Sequence, residues 1–403
     1  MKKVVIIDHF SKAPNEAGNN RFVYLADMLS DYGYSVEVIT TQFSHIAKKQ
    51  RNLDEINLSG LKYKYTMLKE PGYPKNVCLK RIYSHYIFGN HLRKYLNSIE
   101  IPDLVYVAVP SLDVGKQAAH YCKKNNVPLI VDVQDLWPEA FKLVLKNKML
   151  GEVVFASMMK QADDFYRQAD KIVAVSDTYK DRGLRVNRKN KDGLCIYLGT
   201  DLSNFDSYKE LNSINKPQNE TWITYVGTLG TSYNIEIIID AIKAVPDDLK
   251  EGLIFKVMGN GPYLERFREY AIEYGVRADF LGRLDYPTMV EMLCKSDIAV
   301  NPIVKGAAQS IINKHADYAA SGLPVISTQE CPEYKNLLKM YGCGINCGVE
   351  SVEDVSKAIV TLLTDKEKRI SMGKNSRKMA EEIFDRKTTY KRIVQEIDKL
   401  TEK

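Results

Sequence analysis

Two successive runs of strand-length apolar segments alternating with helix-length amphipathic ones, parted by a single polar interval, leave this chain few architectures. In the first run VVIID (4–8), SVEVITT (35–41), LVYVAV (104–109), PLIVDV (128–133), KIVAV (171–175) and GLCIY (193–197) are short and almost wholly apolar. A strand that is apolar on both faces belongs to a sheet covered on both sides, which points to parallel pairing under helices. Stretches such as 21–31, 112–124 and 152–168 carry the amphipathic pattern of those helices. The repeated strand–helix order predicts a doubly wound α/β domain. The interval 197–221 is rich in Asn, Ser, Pro and charge and reads as a linker. The rhythm then restarts with WITYVG (222–227), LIFKVMG (253–259), ADFLG (278–282), DIAVNP (297–302) and LPVIST (323–328). The expected layout is one domain over 1–205, a second over 206–384, and a polar amphipathic helix over 385–403.

Charge separates the halves further. The chain of 403 residues has 57 Lys+Arg and 51 Asp+Glu. Residues 1–200 hold 30 basic and 21 acidic side chains, for +9, and residues 201–403 hold 27 and 30, for −3. The excess is densest over 48–94, where eleven basic residues face Asp54, Glu55 and Glu70 alone. Such a surface attracts phosphate-rich partners: nucleic acid, anionic lipid or a pyrophosphate substrate. The plainer reading is a solvated basic face. No apolar run is long enough for a membrane-spanning helix. MKKVVIIDHF has too short an apolar core for a signal peptide, and the seven scattered cysteines suit reduced cytoplasmic thiols.

In open α/β sheets ligands sit outside the carboxyl ends of the strands, so the loops after the strands hold the candidates. There is no G-x-G-x-x-G, no P-loop, no G-x-S-x-G elbow and no Asp-x-Asp metal clamp. After the first strand, Gly18 with Asn19 and Asn20 leads into a helix. It either presents helix amides to a phosphate or sugar, or the Asn simply caps the helix. After the fourth, Asp132 and Asp135 stand beside Trp137 and suit a polar-substrate site, or Asp135 caps the turn while Trp137 packs the core. The third loop runs from Gln309 through Asn313, Lys314 and Asp317 to Gly322. Asn313 and Lys314 occupy a first helical turn, where amides and a cation together can hold a diphosphate. Asp317, one turn on, is placed to accept from a ribose diol. The alternative is a surface ion pair between Lys314 and Asp317 worth about 0.2–0.5 kcal/mol.

Nine segments, among them VVIIDHF, VPLIVDVQDLWPEA, ADKIVAVSDTYKD, ITYVGTLG, VMGNGPYLERF and NKHADYAASGLPVIST, occur in an order that resembles the retaining family-4 glycosyltransferases, in their bacterial capsule and O-antigen (lipopolysaccharide) branch. The resemblance implies the GT-B fold: two doubly wound Rossmann-like domains facing across a cleft, with a C-terminal helix returning to the first. It implies a nucleotide-diphosphate sugar, with UDP expected, on the second domain and a polyprenyl-diphosphate-linked glycan acceptor on the first. A hexosyl or N-acetylhexosaminyl group would move with retention and without a metal or other cofactor. The family pattern has two acidic residues eight apart; Asp317 matches the second, but Gln309 stands at the first, so that carboxylate's role does not transfer. The family's Arg and Lys after the first strand of the second domain are also absent. Lys314 takes over the cation that offsets the leaving diphosphate, and Asp135 with His9 would position the acceptor hydroxyl. The remaining donor contacts would come from Gly18, Gly227, Thr228, Asn260, Gly261, Gln309, Ser310 and Asn313. The other five histidines read as structural.

The resemblance turns the basic first half toward an anionic membrane and removes nucleic acid as the leading partner. It implies a protein peripheral on the inner face of the cytoplasmic membrane. Leu79, Ile82, Tyr83, Tyr86 and Ile87 recur at helical spacing beside Lys80 and Arg81, which suits a bilayer surface or, more plainly, packing on the sheet. Two rivals share the fold: a nucleotide-sugar 2-epimerase, and a non-catalytic nucleotide-sugar-binding partner of an active transferase.

Overall fold

The computed structural model describes the chain except residues 17–19, 141–147, 212, 308–310 and 403 and the side chains of 148–154. Gly18, Gln309 and Ser310 therefore lie outside the described residues. Two compact units form: Met1–Ile196 with Tyr390–Lys403, and Tyr197–Thr389.

The first unit is built on a seven-stranded sheet. Its strands are β1 (Lys3–Ile7), β2 (Ser35–Thr41), β5 (Lys64–Leu68), β6 (Leu104–Val109), β7 (Leu129–Val133), β8 (Lys171–Ala174) and β9 (Leu194–Cys195), with a two-residue hairpin of β3 (Phe43–Ser44) and β4 (Lys49–Gln50) beside it. The order is β5-β2-β1-β6-β7-β8-β9, parallel throughout. Alternate residues of β1 feed two cores. Val5 and Ile7 face the helices Leu79–Leu96, Leu112–Asn125 and Lys148–Gln168; Val4 and Ile6 face Arg21–Asp31. The helix Lys391–Thr401 closes the second core with Ile393, Val394 and Ile397, each fully or almost fully buried and contributing about 1.5–3 kcal/mol. The amphipathic C-terminal segment expected from 385 thus docks on the first unit only from Tyr390, because Arg386–Thr389 is a separate short helix held in the second unit.

The second unit has six parallel strands in the order β12-β11-β10-β13-β14-β15. They are β10 (Thr221–Val226), β11 (Leu253–Met258), β12 (Ala278–Gly282), β13 (Ile298–Asn301), β14 (Val325–Ser327) and β15 (Gly344–Asn346). The 197–221 interval is not simply linker. Its helix Leu202–Lys209 sinks Leu202 and Phe205 into this unit's core, which moves the division from 205/206 to 196/197. Strands expected at 193–197 and 323–328 shorten to Leu194–Cys195 and Val325–Ser327.

One polar cluster crosses the first core. Arg21 Nε donates to Asp132 Oδ2 at 2.9 Å, the Tyr106 hydroxyl donates to the same oxygen at 2.7 Å, and Arg21 also reaches Tyr390 at 3.1 Å. Asp132, expected as half of a carboxylate pair in a substrate loop, is instead fully buried and spent on this network. A buried carboxylate persists only with such pairing, and removing one partner strands the other's charge.

Candidate functional site

Each sheet reverses its winding once, between β1 and β6 and between β10 and β13. Loops leaving the carboxyl ends on either side of such a reversal diverge and leave a crevice. In the second unit Tyr318 opens it. β10 and β13 pair only at Ile223–Ile298 and Thr224–Ala299. Beyond them the Tyr318 hydroxyl accepts from the Val226 amide at 2.8 Å and donates to the Val300 carbonyl at 3.1 Å, replacing the ladder.

Gly227 and Gly259 leave β10 and β11 side by side. A Cβ on Gly259 would stand 1.7 Å from the Gly227 carbonyl oxygen, and one on Gly261 2.2 Å from that of Leu229. Only glycine allows this approach. The two loops are zipped by Gly227 N→Met258 O and Leu229 N→Asn260 O, both 3.0 Å. Gly259 and Gly261 thus pack on protein backbone, while Thr228 and Asn260 stay exposed.

Lys314 and Asp317 project from the helix Asn313–Ala320, and Asn313 is exposed at its first turn. Neither side chain is a surface residue: Lys314 is 7% exposed and Asp317 9%. The ion pair between them does not form. Lys314 Nζ lies 4.3 Å from the Tyr225 ring centroid and 3.9 Å from that of Tyr233, and has no hydrogen-bond partner among the described residues. Burial alone pushes its pKa well below the usual lysine value. Asp317 Oδ1 accepts from the Tyr286 hydroxyl at 2.9 Å. Burial raises its pKa to about 6, against the lowering effects of Tyr286 and the nearby Arg386. Beneath them His315 is fully buried, stacked on Tyr334 at 3.6 Å, with Nδ1 accepting from the Ile312 amide at 3.3 Å. Tyr225, Tyr233 and Tyr286 escaped the sequence reading because they come from a strand, a loop and another helix. Only their register at the carboxyl ends of the sheet unites them.

In the first unit His9 is fully buried rather than open to an acceptor. Its Nε2 meets Glu70 Oε2 at 2.8 Å, and its ring stacks on Phe88 at 4.1 Å. Glu70 Oε1 accepts from Ser84 at 2.6 Å. His85 packs edge-on to His9 at 4.6 Å and face-on to Trp137 at 5.8 Å, and His45 bonds the Tyr73 hydroxyl at 2.6 Å. Three of the histidines thus gather at one end of the sheet, although their segments looked unrelated. Asp135 is half-buried; Oδ1 accepts from the Leu136 amide at 2.8 Å and Oδ2 from Trp137 Nε1 at 3.2 Å. Its pKa is raised by burial, so it caps its own turn and retains basicity.

Asp8, which no sequence motif marks, is 8% exposed, and burial drives its pKa up to about 7. Asp132 adds to the rise; the Phe10 amide, Ser11 and Arg51 oppose it. A carboxyl whose folded pKa lies above its unfolded value helps stability fully only below the unfolded pKa, and that help is gone above pH 7. Asp8→Asn is therefore expected to raise stability by ~2 kcal/mol at pH 8, with the gap closing toward pH 4 in denaturant melts. An equal gap at both pH values would refute the assignment.

Residues 206–379 match the family model described as glycosyl transferases group 1, and residues 18–204 match glycosyltransferase family 4. The chain carries the two domains of a GT-B glycosyltransferase. Relatives include the uncharacterized glycosyltransferase MJ1069 of Methanocaldococcus jannaschii, 28% identical over 64% of this chain and 62% of that protein. The chain thus aligns with less than two thirds of that relative's length. A second is Escherichia coli (strain K12) WcaI, whose name proposes a colanic acid biosynthesis glycosyl transferase, 21% identical over 73% of this chain and 74% of that one. Among solved structures, Anabaena Alr3699/HepE in complex with UDP superposes with a TM-score of 0.72 at 14% identity, covering 99% of this chain and all of the other. The GT-B fold therefore extends over both units.

Proposed function

We propose that the protein transfers a sugar, with retention, from a UDP-sugar to a lipid-linked saccharide in the synthesis of a cell-surface polysaccharide. The observation that carries this reading is Lys314: an amine buried at the winding reversal with no hydrogen-bond partner among the described residues, one turn before a carboxylate of raised pKa. A buried unpartnered amine is a standing cost, and a diphosphate is a group that offsets it. In the proposed donor complex Lys314 and the Asn313 end of the helix take the diphosphate, and Asp317 accepts from the ribose. Departure of UDP from the anomeric carbon builds charge on the leaving oxygens, which Lys314 and the helix amides stabilise in place of a metal ion. On the other unit, Asp135 is the group assigned to the acceptor hydroxyl; His9, buried and held by Glu70, is assigned a positioning role there.

The UDP of the HepE complex and the polysaccharide named for WcaI support the donor and the pathway class. The surface of the first unit supports a membrane-borne acceptor. Leu79, Ile82, Tyr83 and Tyr86 are 84, 57, 57 and 56% exposed, because Arg81, Ser84, His85, Phe88 and Leu92 form the helix's buried face instead. Those four residues do not pack on the sheet, while Ile87, the fifth of the stripe, is half-buried. Lys69, Lys75, Lys80, Arg93 and Lys94 are exposed around it, so an anionic bilayer is the occupant we assign. No helix among the described residues is long and apolar enough to cross a membrane. Attachment in this reading is peripheral, at the cytoplasmic leaflet.

A thermal-shift panel of nucleotides tests the donor. UDP and UDP-sugars at a hundredfold excess over Kd are expected to stabilise the protein by about 2.7 kcal/mol, equally with and without EDTA. Stabilisation by no uridine nucleotide, or only in the presence of a divalent cation, would remove the reading.

A further inference from the structure

Beside the exposed stripe lies a group of cations that the donor chemistry leaves unused. Arg81, 9% exposed, sets its guanidinium 4.4 Å over the Trp137 ring and 5.4 Å from the Tyr73 ring. Lys48 Nζ approaches the same Tyr73 ring at 5.1 Å. Neither cation forms an ion pair among the described residues. Both lean on neutral oxygens: Arg81 on the Asn76 carbonyl at 2.7 Å, Lys48 on Asn76 Oδ1 and the His45 carbonyl, each at 2.5 Å. Two carboxylates face Arg81 from the interior, but Glu70 already accepts from His9 and Ser84, and Asp135 from Leu136 and Trp137.

Like charges gathered in this way depress one another. His45 is pushed down to about 4 by burial and then by Lys48 and Arg81, and Lys48 is itself lowered by burial and Arg81. The 18-residue helix Leu79–Leu96 begins at the same place, and Cys78 at its N-cap makes no side-chain capping bond, so its first-turn amides add positive potential. Lys48 also holds φ at 56°, a left-handed conformation that is unfavourable for a residue with a Cβ.

We infer that Lys48 and Arg81, with His45, Tyr73 and Asn76 around them, form a seat for a phosphate or diphosphate ester on the first unit. The seat deepens the proposed function and rests on it for its natural occupant, the diphosphate of the lipid-linked acceptor. An oxyanion bridging the two cations replaces the Asn76 contact, and the prenyl chain leaves over Val77 and Leu79, which are 61 and 84% exposed. The aromatic faces of Tyr73 and Trp137 hold the guanidinium flat toward the anion.

The experiment uses the full-length protein with excess UDP present, and farnesyl diphosphate, farnesol, inorganic pyrophosphate and phosphatidylglycerol vesicles as probes. Farnesyl diphosphate is expected to bind at least tenfold more tightly than farnesol. Lys48→Gln should weaken it about threefold and Lys48→Gln/Arg81→Gln at least tenfold, with farnesol unaffected. The His45 imidazole, followed by NMR, should titrate more than one pH unit higher when farnesyl diphosphate is bound. Pyrophosphate matching farnesyl diphosphate would identify the seat as one for free phosphate. Vesicles that move His45 and compete with farnesyl diphosphate would identify it as a headgroup site. Unchanged affinity in the single variant, which keeps the buried guanidinium and tests the seat without risk to the fold, or an unmoved His45 titration, overturns it. These readouts stay with the first unit, so they separate failure of the seat from failure of the UDP reading.

Discussion

Lys314→Met is expected to melt higher than the parent protein and to lose about a hundredfold or more of kcat/KM. The two effects have one cause. Met reproduces the length of the lysine stem between Tyr225 and Tyr233 without the amine that has no partner there. Relief of a buried polar group is worth about 1–3 kcal/mol, and for a domain of this size each kcal/mol moves Tm by about 2–4 °C. In the proposed donor complex the same amine, protonated, offsets the diphosphate, so its loss would leave the leaving group's charge unbalanced. Uridine nucleotides should then stabilise the variant far less than the parent. Turnover near the parent level at saturating donor would end Lys314's assignment, whatever the melt showed. A lower Tm would mean that the amine is not a strained group in the free protein.

The architecture was legible because continuous apolar strands leave a parallel sheet little alternative; the helix Arg21–Asp31 has the bounds its periodicity predicts. The family's two domains were legible in motif order. The side-chain partnerships were not. Asp132 looked available until Arg21, distant in sequence, came to pair with it. Glu70 carried no signal, yet it fixes His9 from the end of β5. The helix Leu79–Leu96 shows why apolar spacing misleads at a functional surface. Its buried face carries Arg81, Ser84 and His85 because Glu70 accepts from Ser84, Tyr73 presents its ring to the guanidinium and His9 packs edge-on to His85, which frees the apolar stripe to face outward. Tyr318 is a further case: a sequence reads it as one more core aromatic, whereas its hydroxyl interrupts the β10–β13 ladder and opens the crevice.

The pH dependence of UDP-glucose affinity should separate Lys314 from Asp317, because the two are perturbed in opposite senses. UDP-glucose is the suitable probe, since its diphosphate diester carries no proton near neutrality. Lys314 is held well below the usual lysine value by burial in the free protein, and in the proposed donor complex it takes up a proton when the diphosphate arrives. Affinity should therefore rise as pH falls from 9, by at most tenfold per unit, and calorimetry on that limb in buffers of different ionisation enthalpy should report net proton uptake. Asp317 must be ionised to accept from the ribose, and burial sets its pKa near 6, with Tyr286, Arg386 and Tyr318 facing it. Below about pH 6 it has to lose a proton on binding, which cancels Lys314's gain, so the parent profile should flatten there. Asp317→Asn should bind about tenfold or more weakly at pH 8, through loss of a charged acceptor, and should keep gaining affinity below pH 6. Lys314→Met should be flat above pH 6 and fall below it. Burial holds the neighbouring His315 well below the usual imidazole value, which keeps its titration off the alkaline limb of the profile. A parent profile that runs straight through pH 6, or an Asp317→Asn profile identical to the parent's, would detach Asp317 from the nucleotide while leaving Lys314's role to be judged on its own slope.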